Sequence, residues 1–307
     1  MKKGVIITNA YWLSDKLARI VKKYTEEFSK LGVVVDLIKN DQSLAYIGSD
    51  GEVVTSLTGQ NSNVQGKEGV GYDFVIYLDK EKHIARLLEK AGLRLFNSSK
   101  SIEVCDDKMC TNIALANEGV KMPLTISSPL MLTDYRGEDI FLKHVKERLK
   151  TPLIVKENYG SFGRQVYLIK NERQLNKIRK KLKRIPHLYQ EYIEESHGRD
   201  MRVIVIGGKM IAAMERVSRG DFRSNIDLGG KGKQIEVPKA YEEMAIRCAE
   251  ILGLDYCGVD ILFGKDGPVV CEVNSNAFFD TLQSVTGVNI AEHYAKYIYG
   301  IIYGEIS

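Results

Sequence analysis

Three oxygen-bearing side chains towards the end of the chain, Asp260, Glu272 and Asn274, have types and spacing that suit metal binding. Two carboxylates and an amide carbonyl are hard oxygen ligands, which Mg²⁺ accepts while it keeps positions open for water and phosphate. The pattern D-x11-E-x-N is short and permissive. Spacing alone is therefore equally compatible with a hairpin whose solvent-facing positions happen to be polar.

The strands that carry these side chains decide whether they can meet. Two apolar segments, 257–263 and 269–273, predict a pair of strands joined by a turn. If residues 265–267 form a three-residue loop with a left-handed glycine, Gly264 pairs with Pro268. That register sets the two carboxylates directly opposite each other, and the amide two residues further on shares their face. We therefore expect the three side chains to converge on one face of the hairpin.

A glycine-containing loop is the second candidate feature. Gly160 and Gly163 lie between two apolar segments, and Lys156 ends the first of them. Glycines let backbone N–H groups turn towards a phosphate with no Cβ in the way, and the lysine would add a positive point charge. The same residues also fit a plain β-hairpin with a long turn, and this alternative stays open.

Lys108 follows the acidic pair Asp106 and Asp107 at the start of a predicted helix, 109–117. Acidic residues are favourable at a helix N-terminus, so the helix dipole alone explains this pair. A lysine in the first turn is unfavourable unless an anion offsets its charge, which is a weak indication of a phosphate nearby.

Three arginines, Arg216, Arg219 and Arg223, lie close together before the glycine-rich run 229–232. Arginines beside glycines indicate a mobile loop that binds anions. A solvated loop explains the same residues equally well.

The first hundred residues alternate between strand and helix patterns, which predicts an α/β (α+β) fold class with a small parallel sheet covered by helices. No G-x-G-x-x-G follows the first strand, so this region is expected to be a lid or a substrate wall. Predicted elements are strands 5–8, 33–38, 72–78 and 93–96, a hairpin in 46–57, helix 80–91, and a helix with Leu17, Ile20, Val21, Tyr24 and Phe28 on one face. Later elements are a hairpin of strands 200–206 and 209–214 and helices 241–252 and 290–303.

The composition is that of an ordinary globular protein: 307 residues, 44% hydrophobic, 27% charged, with a net charge of +4. No apolar run approaches the length of a membrane span, and no secretory signal is visible, so we expect a cytoplasmic location and no membrane partner. The five cysteines form no C-x-x-C pair and the five histidines are scattered. Reduced thiols are expected, and a zinc site is not.

The strongest basic run is 177–184, within a predicted helix. It could bind RNA or an acidic peptide, but no aromatic platform or recognition motif accompanies it. A solvated helix face is the better interpretation, and nucleic acid is not expected as a partner.

The order of these motifs resembles the ATP-grasp superfamily, and specifically the RimK-type (alpha-L-glutamate ligase-like) carboxylate–amine ligases. The resemblance rests on the lysine of D-D-K, the lysine–glycine hairpin, Q-E-Y-I, D-x-R, R-G-D-F-R-S-N and D-x11-E-x-N, and covers roughly residues 97–297. It implies an ATP-grasp fold with an N-terminal Rossmann-like pre-ATP-grasp domain. The implied domains are 1–98, an N-terminal ATP-grasp subdomain 99–187, and a C-terminal subdomain 188–307.

The resemblance also implies roles for particular residues. Lys108 and Lys156 would contact ATP phosphates, while Asp260, Glu272 and Asn274 would hold two Mg²⁺ ions, or Mn²⁺. The implied catalytic residues are Arg202, Arg216 and Arg223. The other implied nucleotide-binding residues are Gly160, Ser161, Phe162 and Gly163 over the phosphates, Gln190, Glu191, Tyr192 and Ile193 at the adenine, Asp200 nearby, and Arg223, Ser224 and Asn225 at the phosphates and the reacting carboxylate.

The implied activity is amide formation through an acyl phosphate, adding an amino acid such as glutamate to a carboxylate-bearing peptide, protein or cofactor tail. Homo-oligomers are common among such ligases. Two departures from the family pattern are Gln165, where a third glycine is common, and segment 275–279, where a Ser/Asn-Pro-Gly sequence is usual. The second departure puts the usual glutamate substrate in question. A catalytically silent ATP-binding module and an RNA- or acidic-peptide-binding scaffold are the alternatives.

Overall fold

The computed structural model describes residues 2–12, 14–57, 71–134 and 137–304. Its N-terminal elements are β1 (Lys3–Thr8), α1 (Asp15–Lys30), β2 (Val34–Lys39), β3 (Ser43–Ile47), β4 (Val53–Leu57), β5 (Phe74–Leu78), α2 (Lys82–Lys90) and β6 (Leu95–Phe96). Strands β2, β1, β5 and β6 form a parallel sheet in that order, and β3 and β4 form a separate hairpin. The predicted parallel sheet and the predicted hairpin are both confirmed.

Helix α1 shows how local sequence sets an element. The Ser14 side chain accepts a hydrogen bond from the Leu17 backbone N–H, and Asp15 lies in the first turn, where the helix dipole favours a negative charge. Residues Leu17, Ile20, Val21, Tyr24 and Phe28 are buried on one face, as the periodicity predicts. The helix ends before Leu31, whose backbone N–H closes the last turn.

The middle of the chain forms an antiparallel sheet with helices around it. Its elements are α3 (Ser99–Asp106), α4 (Lys108–Leu115), β7 (Thr125–Ser127), α5 (Ile140–Arg148), β8 (Leu153–Glu157), β9 (Val166–Ile169), α6 (Glu172–Lys181) and β10 (His187–Glu191). The strand order is β7, β10, β8, β9. The segment with the two glycines connects β8 to β9, so the hairpin alternative and the glycine loop describe the same element.

The last part of the chain is built on a five-stranded sheet. Its elements are β11 (Arg199–Ile206), β12 (Lys209–Val217), β13 (Lys231–Lys233), α7 (Lys239–Ile251), β14 (Tyr256–Gly264), β15 (Gly267–Asn274), α8 (Asp280–Thr286) and α9 (Ile290–Tyr303). The antiparallel order is β13, β12, β11, β14, β15. This agrees with the predicted hairpins and with the predicted terminal helix.

The turn of the β14–β15 hairpin corrects the prediction. Gly264 pairs with Gly267, so the loop has two residues rather than three, and the predicted pairing of Gly264 with Pro268 is wrong. A register shift places Cys271 as an extra residue on β15. A β-bulge of this kind re-aims the strand beyond it. The extra residue compensates for the shorter loop, and the two carboxylates pair as predicted.

The N-terminal sheet and the C-terminal sheet share one core. The buried face of α1 packs with Phe74 and with α8 and α9, which lie on the C-terminal sheet. The side chain of Asn97 adds polar links between the two parts: it donates to the backbone carbonyls of Tyr256 and Ser275, at 2.8 and 2.9 Å, and accepts from the Tyr256 N–H at 2.9 Å. The N-terminal part is therefore fixed against the strands that carry the carboxylates.

The domain limits follow the sheets. The N-terminal sheet ends at β6, which fits a first limit near residue 98. The expected second limit, between 187 and 188, falls inside β10, which pairs with β7 and β8 of the middle sheet. We therefore propose a second limit after Glu191.

The basic run 177–184 begins in α6, and part of it has a structural role. Arg179 is 4% exposed and donates to Asp139 at 2.8 Å, and Lys181 contacts the Tyr167 hydroxyl at 3.1 Å. These contacts favour the interpretation that α6 stabilises the middle sheet. None of the helices in the described ranges is long and apolar enough to cross a membrane.

Candidate active site

A cavity of about 490 Å³ lies where the three sheets approach one another. The loop after β1, helix α1, the end of β5 and the segment after β15 contribute to its wall. Predicted site residues that line it are Ser161, Phe162, Arg202, Arg216, Asn225, Asp260, Glu272 and Asn274. Three distant segments of the chain, carrying most of the predicted metal and catalytic residues, therefore meet in one place.

The predicted metal ligands share one wall of this cavity. Asp260 lies directly opposite Glu272, and Asn274 follows two residues later opposite Gly258. Asp260 is 3% exposed. The buried amide nitrogen of Asn274 has no hydrogen-bond partner among the described residues. A buried amide without a partner is costly in a folded protein and is compatible with a group that orients towards a ligand.

Two arginines, the buried Arg216 and the half-buried Arg202, hold the deeper carboxylate. Arg202 donates to both oxygens of Asp260, and Arg216 lies 2.9 Å from one of them. Arg216 also donates to both oxygens of Asp200, at 2.8 and 2.5 Å. Burial raises the pKa of Asp260, but the two arginines outweigh burial and hold that pKa below its usual range. Asp260 is therefore an ionised carboxylate in this site.

Lys108 connects the predicted phosphate loop, defined as residues 160–163, to the β14–β15 hairpin, which carries the predicted metal ligands and is called the metal-site hairpin below. Its ammonium group donates to the Gly160 carbonyl at 2.7 Å and lies 3.5 Å from a Glu272 carboxylate oxygen. The lysine begins α4, where Asp107 caps the helix by accepting from two backbone N–H groups. The predicted first-turn lysine thus faces the predicted phosphate site.

Lys156 lies on β8 and reaches the same hairpin from the other side. It is 7% exposed, and its Nζ is 3.5 Å from the Cys271 sulfur. Burial raises the pKa of the Cys271 thiol, although Lys156 opposes this shift. A protonated thiol cannot neutralise the ammonium group, and a buried cation requires an anionic partner. This supports a phosphate-binding role for Lys156.

The phosphate loop docks on the loop that carries Arg223. The guanidinium of Arg223 donates to the Gly163 carbonyl at 2.6 Å and is held by Asp221 at 2.9 and 2.7 Å. Gly163 has φ +71°, and a Cβ there would lie 2.6 Å from the Asn225 side-chain oxygen. The Gln165 side chain accepts from the Ser161 N–H at 3.3 Å. Gln165, the departure noted in the sequence, therefore helps to order this loop.

Other predicted nucleotide residues lie outside the wall of this cavity. Gln190 is buried on β10 and donates to the Thr125 hydroxyl at 2.9 Å. Asp200 is buried behind Arg216, which it positions. These residues, together with Lys108, Lys156, Gly160, Gly163, Glu191, Tyr192, Ile193, Arg223 and Ser224, are absent from the lining of the 490 Å³ cavity among the described residues. The adenine role of residues 190–193 stays a prediction.

Sequence reasoning expected the N-terminal region to be a lid or a substrate wall but named none of its residues. Lys80, just after β5, lies 2.5 Å from Asp106 and donates to the Ser161 hydroxyl at 3.2 Å. Trp12, after β1, also lines the cavity. Both residues follow the carboxyl ends of parallel strands, which is where open α/β sheets bind ligands. Applied to the predicted strands, that rule could have identified both residues as candidates from the sequence.

The donor set fits a hard cation. Two carboxylates and an amide on one cavity wall are the ligands that Mg²⁺ takes, with phosphate and water completing its octahedron. Within the described ranges, no three His, Cys, Asp or Glu side chains meet as a metal site. An ion bound here would therefore depend on oxygen atoms from a substrate.

The fold is that of a class of protein, the ATP-grasp proteins. A family model described as the RimK-like ATP-grasp domain matches residues 105–298. The chain belongs to the RimK-like ATP-grasp family. The resemblance and the fold class predicted from the sequence are confirmed.

Particular relatives refine this assignment. Beta-citrylglutamate synthase B of Danio rerio is 32% identical over 305 residues, covering 93% of this chain and 74% of the relative. Human N-acetylaspartylglutamate synthase A is 36% identical over 229 residues, covering 73% of this chain and 57% of the relative. The chain thus spans little more than half of the human relative. The solved ATP-grasp ligase PsnB, with a phosphomimetic variant of its minimal precursor, Mg and ADP, has a TM-score of 0.67 at 17% identity over 98% of both chains, which shows a shared fold.

A glycine on β14 gives a first testable prediction. A Cβ on Gly258 would lie 2.4 Å from the Ala277 Cβ and 3.2 Å from a terminal nitrogen of Arg202. Because overpacking forces backbone shifts, Gly258→Ala should lower the free energy of unfolding by about 1–3 kcal/mol, measured by denaturant titration.

Gly300→Ala is the matched control, because Gly300 lies in α9 and no neighbouring atom of the described residues lies within 4 Å of a Cβ placed there. It should be neutral or stabilising by up to about 1 kcal/mol. Equal stabilities of the two variants would contradict the close packing at Gly258.

Proposed function

We propose that this protein is an ATP- and Mg²⁺-dependent carboxylate–amine ligase that adds an amino acid such as glutamate to a carboxylate-bearing acceptor. The observation that supports it most is the meeting of Asp260, Glu272 and Asn274 with Arg202 and Arg216 on one cavity. Family membership points to the same chemistry, because the relatives are named as synthases of glutamate conjugates.

The proposed reaction needs positions and charges more than it needs a protein nucleophile. The acceptor carboxylate attacks the γ-phosphorus of ATP, and ADP leaves. The amine of the amino acid then attacks the carbonyl carbon of the acyl phosphate, so that an amide forms and inorganic phosphate and a proton are released. Phosphoryl transfer of this kind is catalysed mainly by alignment and by neutralisation of developing charge.

Each part of the cavity has a role in that scheme. Asp260, Glu272 and Asn274 would hold one or two Mg²⁺ ions, with Mn²⁺ as a substitute, which neutralise phosphate oxygens when bound. Arg202 and Arg216 line the cavity beside the carboxylates, where they can stabilise the negative charge of the acyl phosphate. The other groups that would hold or cover the phosphates are Lys108, Lys156, the phosphate loop, Arg223, Ser224 and Asn225.

The acceptor is proposed to be a small polycarboxylate or an acidic peptide. The names of the two relatives contain citryl and N-acetylaspartyl groups joined to glutamate. Lys16, Arg19 and Lys80 line the cavity of this chain together with Arg202 and Arg216, and they pair with the lining carboxylates of Asp227, Asp280 and Asp106 respectively. We propose a cytoplasmic location, because the five cysteines are free and ATP is the expected cosubstrate.

The function can be tested with purified protein, ATP and Mg²⁺. Inorganic phosphate release should require both an amine and a carboxylate from a panel of amino acids, small polycarboxylates and acidic peptides. Mass spectrometry should find the corresponding amide. ATP binding with no release of ADP or phosphate for any pair of carboxylate and amine would support a silent module instead. Binding of RNA that needs no ATP and falls steeply with salt would support a scaffold.

A further inference from the structure

Three aromatic rings from three separate parts of the chain meet at the cavity. Trp12 lies in the loop after β1, Phe162 in the phosphate loop, and Phe278 in the segment after β15. Trp12 stacks on Phe278 with ring centroids 5.7 Å apart and planes 5° from parallel. Phe162 lies 6.0 Å from Trp12 and 6.2 Å from Phe278. All three rings line the cavity, and Trp12 is 38% exposed, so the cluster stands between the cavity and solvent.

Hydrogen bonds around Asp79 position the two chain segments that carry Trp12 and Phe278. The carboxylate of Asp79 accepts from the side chains of Asn9, at 3.2 Å, and Asn40, at 2.7 Å. Asn40 in turn accepts from the backbone N–H of Ala10, two residues before Trp12. On the other side, the Asn276 amide donates to the Asp79 carbonyl at 3.1 Å, two residues before Phe278. Both segments are therefore positioned by the same residue.

The third ring belongs to the phosphate loop, and its backbone is unusual. Phe162 has φ +58°, in the left-handed region that side-chain-bearing residues rarely occupy. Non-glycine residues persist there when the surrounding structure determines them, and such positions cluster at functional sites. The contact with Trp12 and Phe278 is a reason for a phenylalanine at this position, where the backbone conformation favours glycine. It gives a role to Phe278, in the segment where the sequence departs from the family pattern.

An acyl phosphate makes this contact important. If water attacks it in place of the amine, the carboxylate is regenerated, phosphate is released, and ATP is consumed without an amide. A closed site prevents this side reaction. Aromatic rings in stacked and tilted contact supply a large apolar surface for excluding water.

We propose that Trp12 and Phe278 are positioning residues that, with Phe162, form an aromatic seal holding the phosphate loop over the cavity and excluding water from the acyl phosphate. The proposal rests on the ligase function proposed above. It assigns the N-terminal sheet a part in the efficiency of the reaction, since that sheet supplies Trp12.

The test is the amount of phosphate released per amide formed, measured on the same samples by phosphate assay and mass spectrometry. A sealed site should give about one phosphate per amide, and Trp12→Ala or Phe278→Ala should raise this ratio roughly threefold or more. Partial loss of folded protein lowers both products equally and leaves the ratio unchanged, so the ratio separates a seal from a structural role. Trp12→Phe and Phe278→Tyr, which keep an aromatic ring, should restore a ratio near that of the wild type.

Tyr11→Ala is the control, because Tyr11 is the neighbour of Trp12 but is 86% exposed. It should leave the ratio unchanged. An unchanged ratio in both Trp12→Ala and Phe278→Ala, with amide still formed, would overturn the seal and leave the ligase function standing. A wild-type protein that forms no amide with any substrate of the panel would overturn the function and the seal together.

Discussion

Replacing Glu272 with glutamine should lower kcat by at least about 10²–10³-fold while the fold stays intact. Glu272 lines the cavity opposite Asp260, and its carboxylate lies 3.5 Å from the ammonium group of Lys108. Glutamine keeps the size and one carbonyl oxygen but removes the charge that would bind Mg²⁺ and hold the lysine. Because the backbone pairing of β14 and β15 does not involve this side chain, the hairpin should persist.

The measurement is steady-state ligation with ATP and Mg²⁺, accompanied by a denaturant titration. Glu215→Gln is the matched control: Glu215 lies on β12 of the same sheet, pairs with Arg199 at 2.9 Å, and is not among the residues that line the cavity. It should change kcat little. Normal ligation by the Glu272→Gln protein would contradict the metal site.

The metal-site hairpin shows what a sequence can and cannot predict. The pairing of Asp260 with Glu272 was predicted by counting back from an assumed three-residue turn, and the structure has the pairing but not that turn. The turn beside it was predicted wrongly, because the extra residue at Cys271 is invisible to periodicity. Two local errors cancelled, since a shorter loop and a bulge together leave the same register beyond them. A bulge can thus restore a register that the loop has shifted, and neither feature is visible in the hydrophobic pattern.

Contacts between distant segments could not be predicted from the sequence. Lys80 and Ser161 are 81 residues apart, and only the docking of the N-terminal sheet brings them together. The roles of arginines were implied by family resemblance, but their buried partners were not. Asp200 was expected near the nucleotide, and the sequence did not indicate that both of its carboxylate oxygens accept from Arg216. Hydrogen-bond partners depend on side-chain packing in three dimensions, which no local pattern encodes.

Replacing Arg216 with methionine should lower the free energy of unfolding by about 3–5 kcal/mol, because removing one partner of a buried ion pair leaves uncompensated charge. Arg216 is 4% exposed and bonds both Asp200 and Asp260. Methionine fills much of the same space, so little of the loss would come from a cavity. With Arg216 gone, Arg202 alone would face Asp260, and Asp200 would lose both of its bonds to a guanidinium.

A double-mutant cycle separates this electrostatic cost from packing. Asp200→Asn alone should destabilise the protein, because Arg216 then has only Asp260 to balance it. The variant that carries both Arg216→Met and Asp200→Asn should be more stable than the sum of the two single losses predicts, by roughly 1–3 kcal/mol, since it removes both members of the pair. Denaturant titration of all four proteins measures the coupling. Simple additivity would mean that Asp200 does not hold Arg216 in place, and the position of that arginine in the cavity would need another explanation.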